Sequence, residues 1–593
     1  MRFRLIRLRF RRQLRASQRQ VEGLGTQAEQ QLEEHFFKRF SRLNTVRRFV
    51  IGWVLLVILL IGGVVLQNIW LSNSYQALKP VAGGIYNEGV LGTFTNANPL
   101  YATSDADTSV ARLIFAGLFT YDQQNKLVGD LASGYQVDAR GTTYTVRLKR
   151  GLTWQDGQPL TSADVRFTYQ MIQNPDAQSP LQASWQGITI TAPDARTIVF
   201  KLPDPLASFP YNLTNGIVPQ HLLARIPPAS LRSADFNTVH PVGAGPFQWQ
   251  AIQVAGSDPS TAEEQIALTP FSNYQGGEPK LHEFIMHVFA SRDQLVSAFK
   301  AGRLTGAEGL NSLPSDIAGM SSLQAHNLLL RAATMVFFKT SDGVLADKQI
   351  RLALVQATNT KRIITNLGYP TLAVREPLLI GQLGYDSTLA QSGLNLTAAR
   401  AALDSDGWTV GKDGIRTKGG QPLAFTLTAA DTPEYRQVTH ELQQEWRAIG
   451  VQLQVQLLDA ADFQSTLTYH NYDAVLYGIS IGVDPDVFVY WDSSQADIRS
   501  SNRLNLSEWK NATADAALEA GRTRLNPTLR VIKYKPFLQV WQQDAPALGL
   551  YQPRLLYLTN GPVAGLTSSS INTAPDRFNN VQNWEIREAK VTD

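Results

Sequence analysis

The chain has 593 residues, 44% hydrophobic and 18% charged, with 11 Trp and 19 Tyr. That is the composition of a folded protein too long for one ordinary core, with no long disordered stretch expected. There is no cysteine, which excludes disulfides, thiolate metal sites and cysteine nucleophiles, and leaves no acylated-cysteine lipid anchor. The net charge of +4 is unevenly placed. Residues 1–48 hold 13 Lys/Arg against 4 Asp/Glu, and the rest of the chain holds 41 against 46. The pI near 9.0 is therefore a property of the tail, and no nucleic-acid partner is expected from it.

Taken in order, the first 20 residues place Phe3, Ile6, Phe10 and Leu14 at near-helical spacing among eight arginines. Two readings stay open. The segment is a basic amphipathic helix on anionic lipid or a cytoplasmic partner, or it is a solvated tail that only secures orientation. Residues 49–71 then form an uncharged run of 23 residues with Trp53 and Trp70 near its ends. As a helix it would be ~35 Å long, enough for a hydrocarbon core of ~30 Å. A cleaved signal peptide is the competing reading, but the run is long for one and starts late. Arg42, Arg47 and Arg48 precede the run, so the positive-inside rule puts residues 1–48 in the cytoplasm and the large domain outside. Residues 72–82 read as a short polar tether ending at Pro80.

Beyond the tether, strand-like and helix-like segments alternate. Thr143–Leu148, Thr197–Leu202 and Val451–Leu457 alternate polar and apolar residues as half-buried strands do. Trp154-Gln155-Asp156-Gly157 supplies a tight turn. Thr161-Ser162-Ala163-Asp164 pairs an N-cap with an acid three residues on, opening a helix near Val165. Arg292–Ala301, Thr397–Leu403 and Pro433–Ile449 also read as helices. The pattern is mixed, α+β or α/β rather than either pure class.

Several of these segments follow a familiar grammar. The stretch Leu127–Ile172, with Trp154-Gln155-Asp156-Gly157-Gln158-Pro159 and Thr161-Ser162-Ala163-Asp164-Val165, resembles the signature region of solute-binding protein family 5. These are the oligopeptide- and dipeptide-binding proteins of peptide-type ABC importers. Asn98-Pro99-Leu100, Ile217-Val218-Pro219-Gln220-His221, Pro241-Val242-Gly243-Ala244-Gly245-Pro246-Phe247, Asn273-Tyr274 with Gly276-Gly277, Lys348–Ala357, Asp484-Pro485-Asp486 and Asp544-Ala545-Pro546 are similar to the family's later motifs, in the same order. Each alone is only turn chemistry. Together they cover roughly residues 83–586.

The resemblance implies a periplasmic-binding-protein-like fold of class II: two hinged lobes with an extra inserted domain, preceded here by one transmembrane helix. Lobe I would comprise residues 83–110, 240–330 and 555–593, the inserted domain 111–239, and lobe II 331–554. The two crossings between lobes are expected near Met335–Phe338 and Gly549–Tyr551. The ligand-binding residues implied are Thr93, Phe94 and Thr95 from the first cleft loop, and Tyr477, Gly478, Ile479, Ser480, Gly482 and Asp484 from lobe II. Tyr490 flanks the same segment. Gly482 stands where peptide binders commonly place the aspartate that pairs with a ligand's α-ammonium. This implies weak dependence on a free amine, with Asp484 the nearest substitute anion.

Catalysis is not expected. Gly478-Ile479-Ser480-Ile481-Gly482 has the G-x-S-x-G spacing of a hydrolase nucleophile elbow, but the turn Val483-Asp484-Pro485 follows instead of a helix. No histidine occurs after His470 to complete a triad. The eight histidines show no metal-binding spacing, and surface or turn positions are expected for them. No phosphate-binding loop occurs. The expectation is a cofactor-free, membrane-anchored, extracytoplasmic receptor with a monomeric ectodomain. It would capture a peptide or peptide-like solute and pass it to ABC permease subunits. The alternative is a membrane-anchored sensor or scaffold that signals through its basic arm.

Overall fold

A computed structural model describes residues 47–74, 76–256, 262–497, 499–500, 503–567 and 570–592. The basic arm, residues 1–46, lies outside the described residues, and so does the choice between its two readings. The described chain divides into two units, Met1–Lys79 with Glu588–Asp593, and Pro80–Arg587.

In the first unit the apolar run is helical, as its composition predicts. The helix spans Arg47–Ser74, and Phe49–Asn68 is long and apolar enough to cross a membrane. Phe49, Trp53, Leu59 and Leu66 are all more than half exposed. Of the segment 72–82, expected as a tether, the described residues as far as Val81 carry regular structure. The helix continues to Ser74, and Gln76–Val81 neighbours Arg587–Thr592 in a two-stranded sheet. The tether expectation rested on polarity, and polarity does not prevent strand pairing once a distant segment offers its backbone.

The second unit is built on three sheets. The first has eight strands, in the order Ser570–Ile571, Leu323–Leu330, Arg554–Asn560, Gly306–Glu308, Ile85–Leu91, Glu283–Phe289, Glu263–Pro270 and Phe247–Ala255. The second has five, in the order Gln452–Leu458, Ala424–Ala430, Ala474–Ser480, Ala332–Phe338 and Ala547–Tyr551. The third is an antiparallel sheet of Ala132–Val137, Thr143–Leu148, Thr197–Lys201 and Thr189–Asp194. The local signals hold here. Thr161 caps the helix Ser162–Gln173, and Asp164 Oδ2 accepts from the Thr161 N–H at 2.9 Å, completing the capping box.

Burial follows strand period. On Ala332–Phe338, Met335 and Phe337 pack with Trp491 and Trp541 on one face. Val336 and Phe338 pack with Leu354 and Trp446 on the other. A strand covered on both faces reads as a continuous apolar run, and this one does. The third sheet has no separate core. One apolar cluster runs from Tyr86 through Trp154 and Phe200 to Trp584, joining it to the first sheet.

The chain passes between the first and second sheets at Arg331, which separates Leu323–Leu330 from Ala332–Phe338. It passes again at Gln552-Pro553, between Ala547–Tyr551 and Arg554–Asn560. The segments expected at the crossings are strands of the second sheet, a few residues away. The two crossings touch: the Leu330 N–H donates to the Pro553 carbonyl at 2.9 Å.

One histidine departs from expectation: His287 is buried on the strand Glu283–Phe289. His470 lies in the turn after the helix Ala460–Tyr469 and is buried as well, and each sets a ring nitrogen against a carboxylate: Glu263 at 2.7 Å and Glu508 at 3.1 Å. Those partners come from a neighbouring strand and a distant loop, which spacing along the chain does not reveal.

The first sheet also buries a charged pair. Arg577 and Glu88 are fully enclosed, and Glu88 Oε1 accepts from Arg577 Nε at 3.1 Å and Nη2 at 3.0 Å. Tyr557 Oη donates to Glu88 Oε2 at 2.7 Å and lies 2.7 Å from Tyr86 Oη. A Cβ on Gly306 would stand 2.5 Å from Tyr86 Oη and 2.6 Å from Tyr557 Oη, so only glycine fits there. Removing one partner of such a buried pair typically costs ~3–5 kcal/mol, because the other charge stays behind in a dry core.

Candidate functional site

Beside the two crossings lies a cavity of ≈ 340 Å³, walled by the first sheet with its flanking segments and by the helix Pro433–Arg447, which packs on the second sheet. The first sheet's side supplies Asp105, Glu308, Gly309, Leu310 and Asn311. The other side supplies Thr432, Glu434 and Tyr435, and Pro553–Leu556 run along it.

Glu308 ends the three-residue strand Gly306–Glu308, held between Ile85–Leu91 and Arg554–Asn560. Gly309 follows at φ +96°, with no room for a Cβ beside Leu91. The chain must therefore turn, which leaves Glu308 at the carboxyl end of a central strand. Glu308 is 2% exposed, and its Oε2 has no hydrogen-bond partner. The nearest cation is Arg577 Nη2 at 4.0 Å, whose stronger bonds go to Glu88. Burial lifts the Glu308 carboxyl to about 7; Arg577 opposes this, and Asp105 and Glu88 add to it. Asp105 opens the helix Asp105–Ile114, where the helix dipole favours an acid. Among the described residues its carboxylate makes no hydrogen bond or ion pair.

On the opposite wall the carboxylate is satisfied, while Arg554 Nε is buried without a hydrogen-bond partner among the described residues. Glu434 sits in the first turn of the helix Pro433–Arg447, capped by Thr432. Tyr551 Oη donates to it at 2.7 Å and Tyr369 Oη at 2.8 Å. Burial, then the Glu434 charge, pushes both phenols far above their usual range, so both remain protonated donors. The Arg554 guanidinium stacks 3.8 Å from the Tyr369 ring centroid and donates to Asn327. The sequence reading missed Asp105, Glu308, Glu434, Tyr435 and Arg554. No local pattern marks them, because their meeting depends on the two crossings.

The residues implied by resemblance fall into two groups. Thr93 and Thr95 are exposed, while Phe94 is 7% exposed with its ring against Trp249, centroids 6.0 Å apart. Their loop is pinned. Asp107 accepts from the Thr95 N–H and hydroxyl, both at 2.7 Å, and Glu264 accepts from the Phe94 N–H at 2.9 Å. Tyr477, Gly478, Ile479 and Ser480 end the strand Ala474–Ser480. Tyr477 is half-buried near Phe463, Ile479 is buried, and the Ser480 carbonyl accepts from Tyr490 Oη at 2.6 Å. A Cβ on Gly478 would stand 3.6 Å from Tyr435 Oη, so this glycine adjoins the cavity wall. Gly482 adopts φ +74° with open space around it, and its carbonyl accepts from Gln382 Nε2 at 2.8 Å.

Asp484 faces a second cavity of ≈ 360 Å³, with Tyr135, Tyr211 and Arg530 among its walls. Both of its oxygens are taken by Arg530, at 2.6 and 2.7 Å. The proposed substitute anion is thus neutralised within the protein. Ser480 is followed by a turn, and the next helix begins only at Phe488.

The raised Glu308 carboxyl makes stability depend on pH. Below pH ~4.5 the group is protonated whether the chain is folded or unfolded. Between there and about 7 the unfolded chain gives up a proton that the folded chain keeps. Stability therefore falls through that window, and the loss is complete above it. Glu308→Gln should gain up to about 3 kcal/mol over the parent at pH 8 and nothing at pH 4, read by chemical denaturation at the two pH values. Equal stabilities at both would mean that the carboxylate ionises at its ordinary pKa.

The comparisons with known proteins agree with this architecture. The family described as "Bacterial extracellular solute-binding proteins, family 5 Middle" matches residues 126–500. The oligopeptide-binding protein AppA of Bacillus subtilis is 24% identical over 492 residues, covering 81% of this chain and 88% of its own. Its structure with a nonapeptide superposes with a TM-score of 0.68 at 22% identity, covering 86% of this chain and all of that one. The structure of NikZ from Campylobacter jejuni with Ni(L-His) gives 0.69 at 22% identity, covering 85% and 99%. The fold is that of the two-lobed periplasmic binding proteins, and the chain belongs to the family 5 bacterial extracellular solute-binding proteins.

Proposed function

We propose that this chain is a membrane-anchored receptor of an ABC importer that closes two hinged lobes around a small peptide or peptide-like solute and hands it to the permease subunits. The observation that carries this reading is the ≈ 340 Å³ cavity between the first sheet and a helix packed on the second, beside two hydrogen-bonded crossings. Its size suits a small solute, and two adjacent crossings suit a hinge. Residues 83–110, 240–330 and 555–593 form lobe I in this reading, 111–239 the inserted part, and 331–554 lobe II. In this reading Thr93, Phe94, Thr95, Tyr477, Gly478, Ile479, Ser480, Gly482 and Asp484 belong to the wider cleft. The nonapeptide held by AppA supports a peptide-like solute, and the Ni(L-His) held by NikZ shows that this fold also accepts others.

Anchoring rests on the exposed apolar helix Phe49–Asn68 and the arginines before it. Protease added outside intact cells should degrade the chain beyond residue ~72 and spare a membrane-embedded fragment that contains the arm. A mature N-terminus near residue 72 would contradict the anchor.

Closure is testable because the chain has no cysteine of its own. Spin labels on Asp316→Cys and Arg436→Cys, both exposed positions, report the distance between the lobes. Saturating trialanine, or a mixed tripeptide pool, should shorten that distance. It should also stabilise the fold by about 2.7 kcal/mol at a hundredfold excess over Kd. Binding with an unchanged distance would point to a fixed, preformed pocket.

A further inference from the structure

We propose that the Glu308–Asp105 corner of the interlobe cavity is a cation subsite that takes the ammonium or guanidinium group of the solute. This inference rests on the receptor reading above and names the chemistry that its cavity selects.

The argument begins with charge. Three carboxylates line the cavity, those of Asp105, Glu308 and Glu434, and one guanidinium, that of Arg554. Glu434 is satisfied by two tyrosine hydroxyls. Arg577, behind the wall, is committed to Glu88 and approaches Glu308 only to 4.0 Å. Among the described residues that leaves the Asp105 carboxylate without a protein partner and Glu308 with a fully buried oxygen, Oε2, that accepts nothing. Buried polar atoms are normally hydrogen-bonded, and one that is not, at the end of a central strand and on a cavity wall, is a place where a ligand donor gains a bond at little cost.

The chemistry narrows further. Among the described residues no three His, Asp or Glu side chains come close enough to hold a metal ion, which favours an organic cation. The remaining walls include Leu310, Leu555, Leu556 and the Tyr435 ring. These surfaces suit the apolar stem and the charge of an alkylammonium or alkylguanidinium group. The contact that Gly482 fails to provide on one lobe is thus supplied from the other. This replaces the amine-indifferent cleft expected from Gly482 alone.

Proton linkage follows from the surroundings of Glu308. Glu88, Arg577, Tyr86 and Tyr557 stand behind it, Asp105 beside it, and Glu434, Tyr435 and Arg554 across the cavity. A cation bound there draws the Glu308 proton off, so affinity for a cationic solute should rise between pH 5 and pH 8.

The test uses the full chain in nanodiscs and calorimetric titration of four probes: trialanine, N-acetyl-trialanine, N-acetyl-trilysine amide and N-acetyl-trinorleucine amide. The first pair isolates the α-amine, and the second isolates a side-chain cation. We expect at least one cationic member to bind tenfold or more tightly than its neutral counterpart. That ratio should fall toward one in Glu308→Gln and Asp105→Asn and persist in Asp484→Asn. The exposed Asp105 site keeps the test valid should Glu308→Gln misfold. A ratio unchanged in both variants, or lost only in Asp484→Asn, overturns the subsite and leaves the receptor reading standing. Should none of the peptides bind, the peptide reading fails, and the subsite is decided by butylguanidinium alone. Protection against thermal unfolding in the parent but not in Glu308→Gln sustains it, and no protection overturns it.

Discussion

The bond between Arg577 and Glu88 holds together segments 489 residues apart. Glu88 lies on the opening strand Ile85–Leu91, and Arg577 lies in a short turn after the chain has visited both sheets and returned. Burial opposes the guanidinium charge, but Glu88 and then Glu308 more than offset it, and the Arg577 pKa is held above its ordinary value. One buried cation thus faces two buried carboxylates. The pair closes the first sheet's core, and the leftover negative charge falls on Glu308, at the mouth of the cavity. A fully balanced core would leave nothing there for a ligand to neutralise.

The helix Pro433–Arg447, packed on the second sheet, meets that corner with a carboxylate that is already satisfied. Glu434 is gripped by Tyr369 and Tyr551, and Arg554 lies flat on Tyr369. Tyr551 ends the strand before one crossing, and Arg554 begins the strand after it. That side of the cavity is therefore built partly from the same few residues that join the sheets. A hinge motion there would move the Glu308 corner against this aromatic wall. Desolvation on closure would then strengthen any pairing of a solute cation with Glu308.

Much of this fold could be read from local signals. The capping box at Thr161 and Asp164, the alternation in Thr143–Leu148 and the apolar run from Phe49 are short-range patterns, and each became the element it implied. The two-lobed architecture followed from the order of turn motifs. The rest depends on contacts that local patterns do not carry. His287 meets Glu263 from a neighbouring strand, and the strand Gln76–Val81 pairs with a segment hundreds of residues later. Glu308 looks unremarkable in Thr305-Gly306-Ala307-Glu308-Gly309, and only the sheet order reveals that it is buried and short of a partner. Asp484, named as the nearest substitute anion, is paired with Arg530, which reaches it from a helix 46 residues later and which no local pattern reveals.

The central claim is that the cleft between the two lobes holds an organic, positively charged solute. Native mass spectrometry of the full chain, extracted gently from the membrane in which it is made, asks this directly. The account predicts a retained mass of a few hundred daltons that is lost on mild activation and fragments as a peptide or peptide-like molecule bearing an amine or guanidine. A retained solute that is anionic or carries no basic group, recovered stoichiometrically, would contradict it.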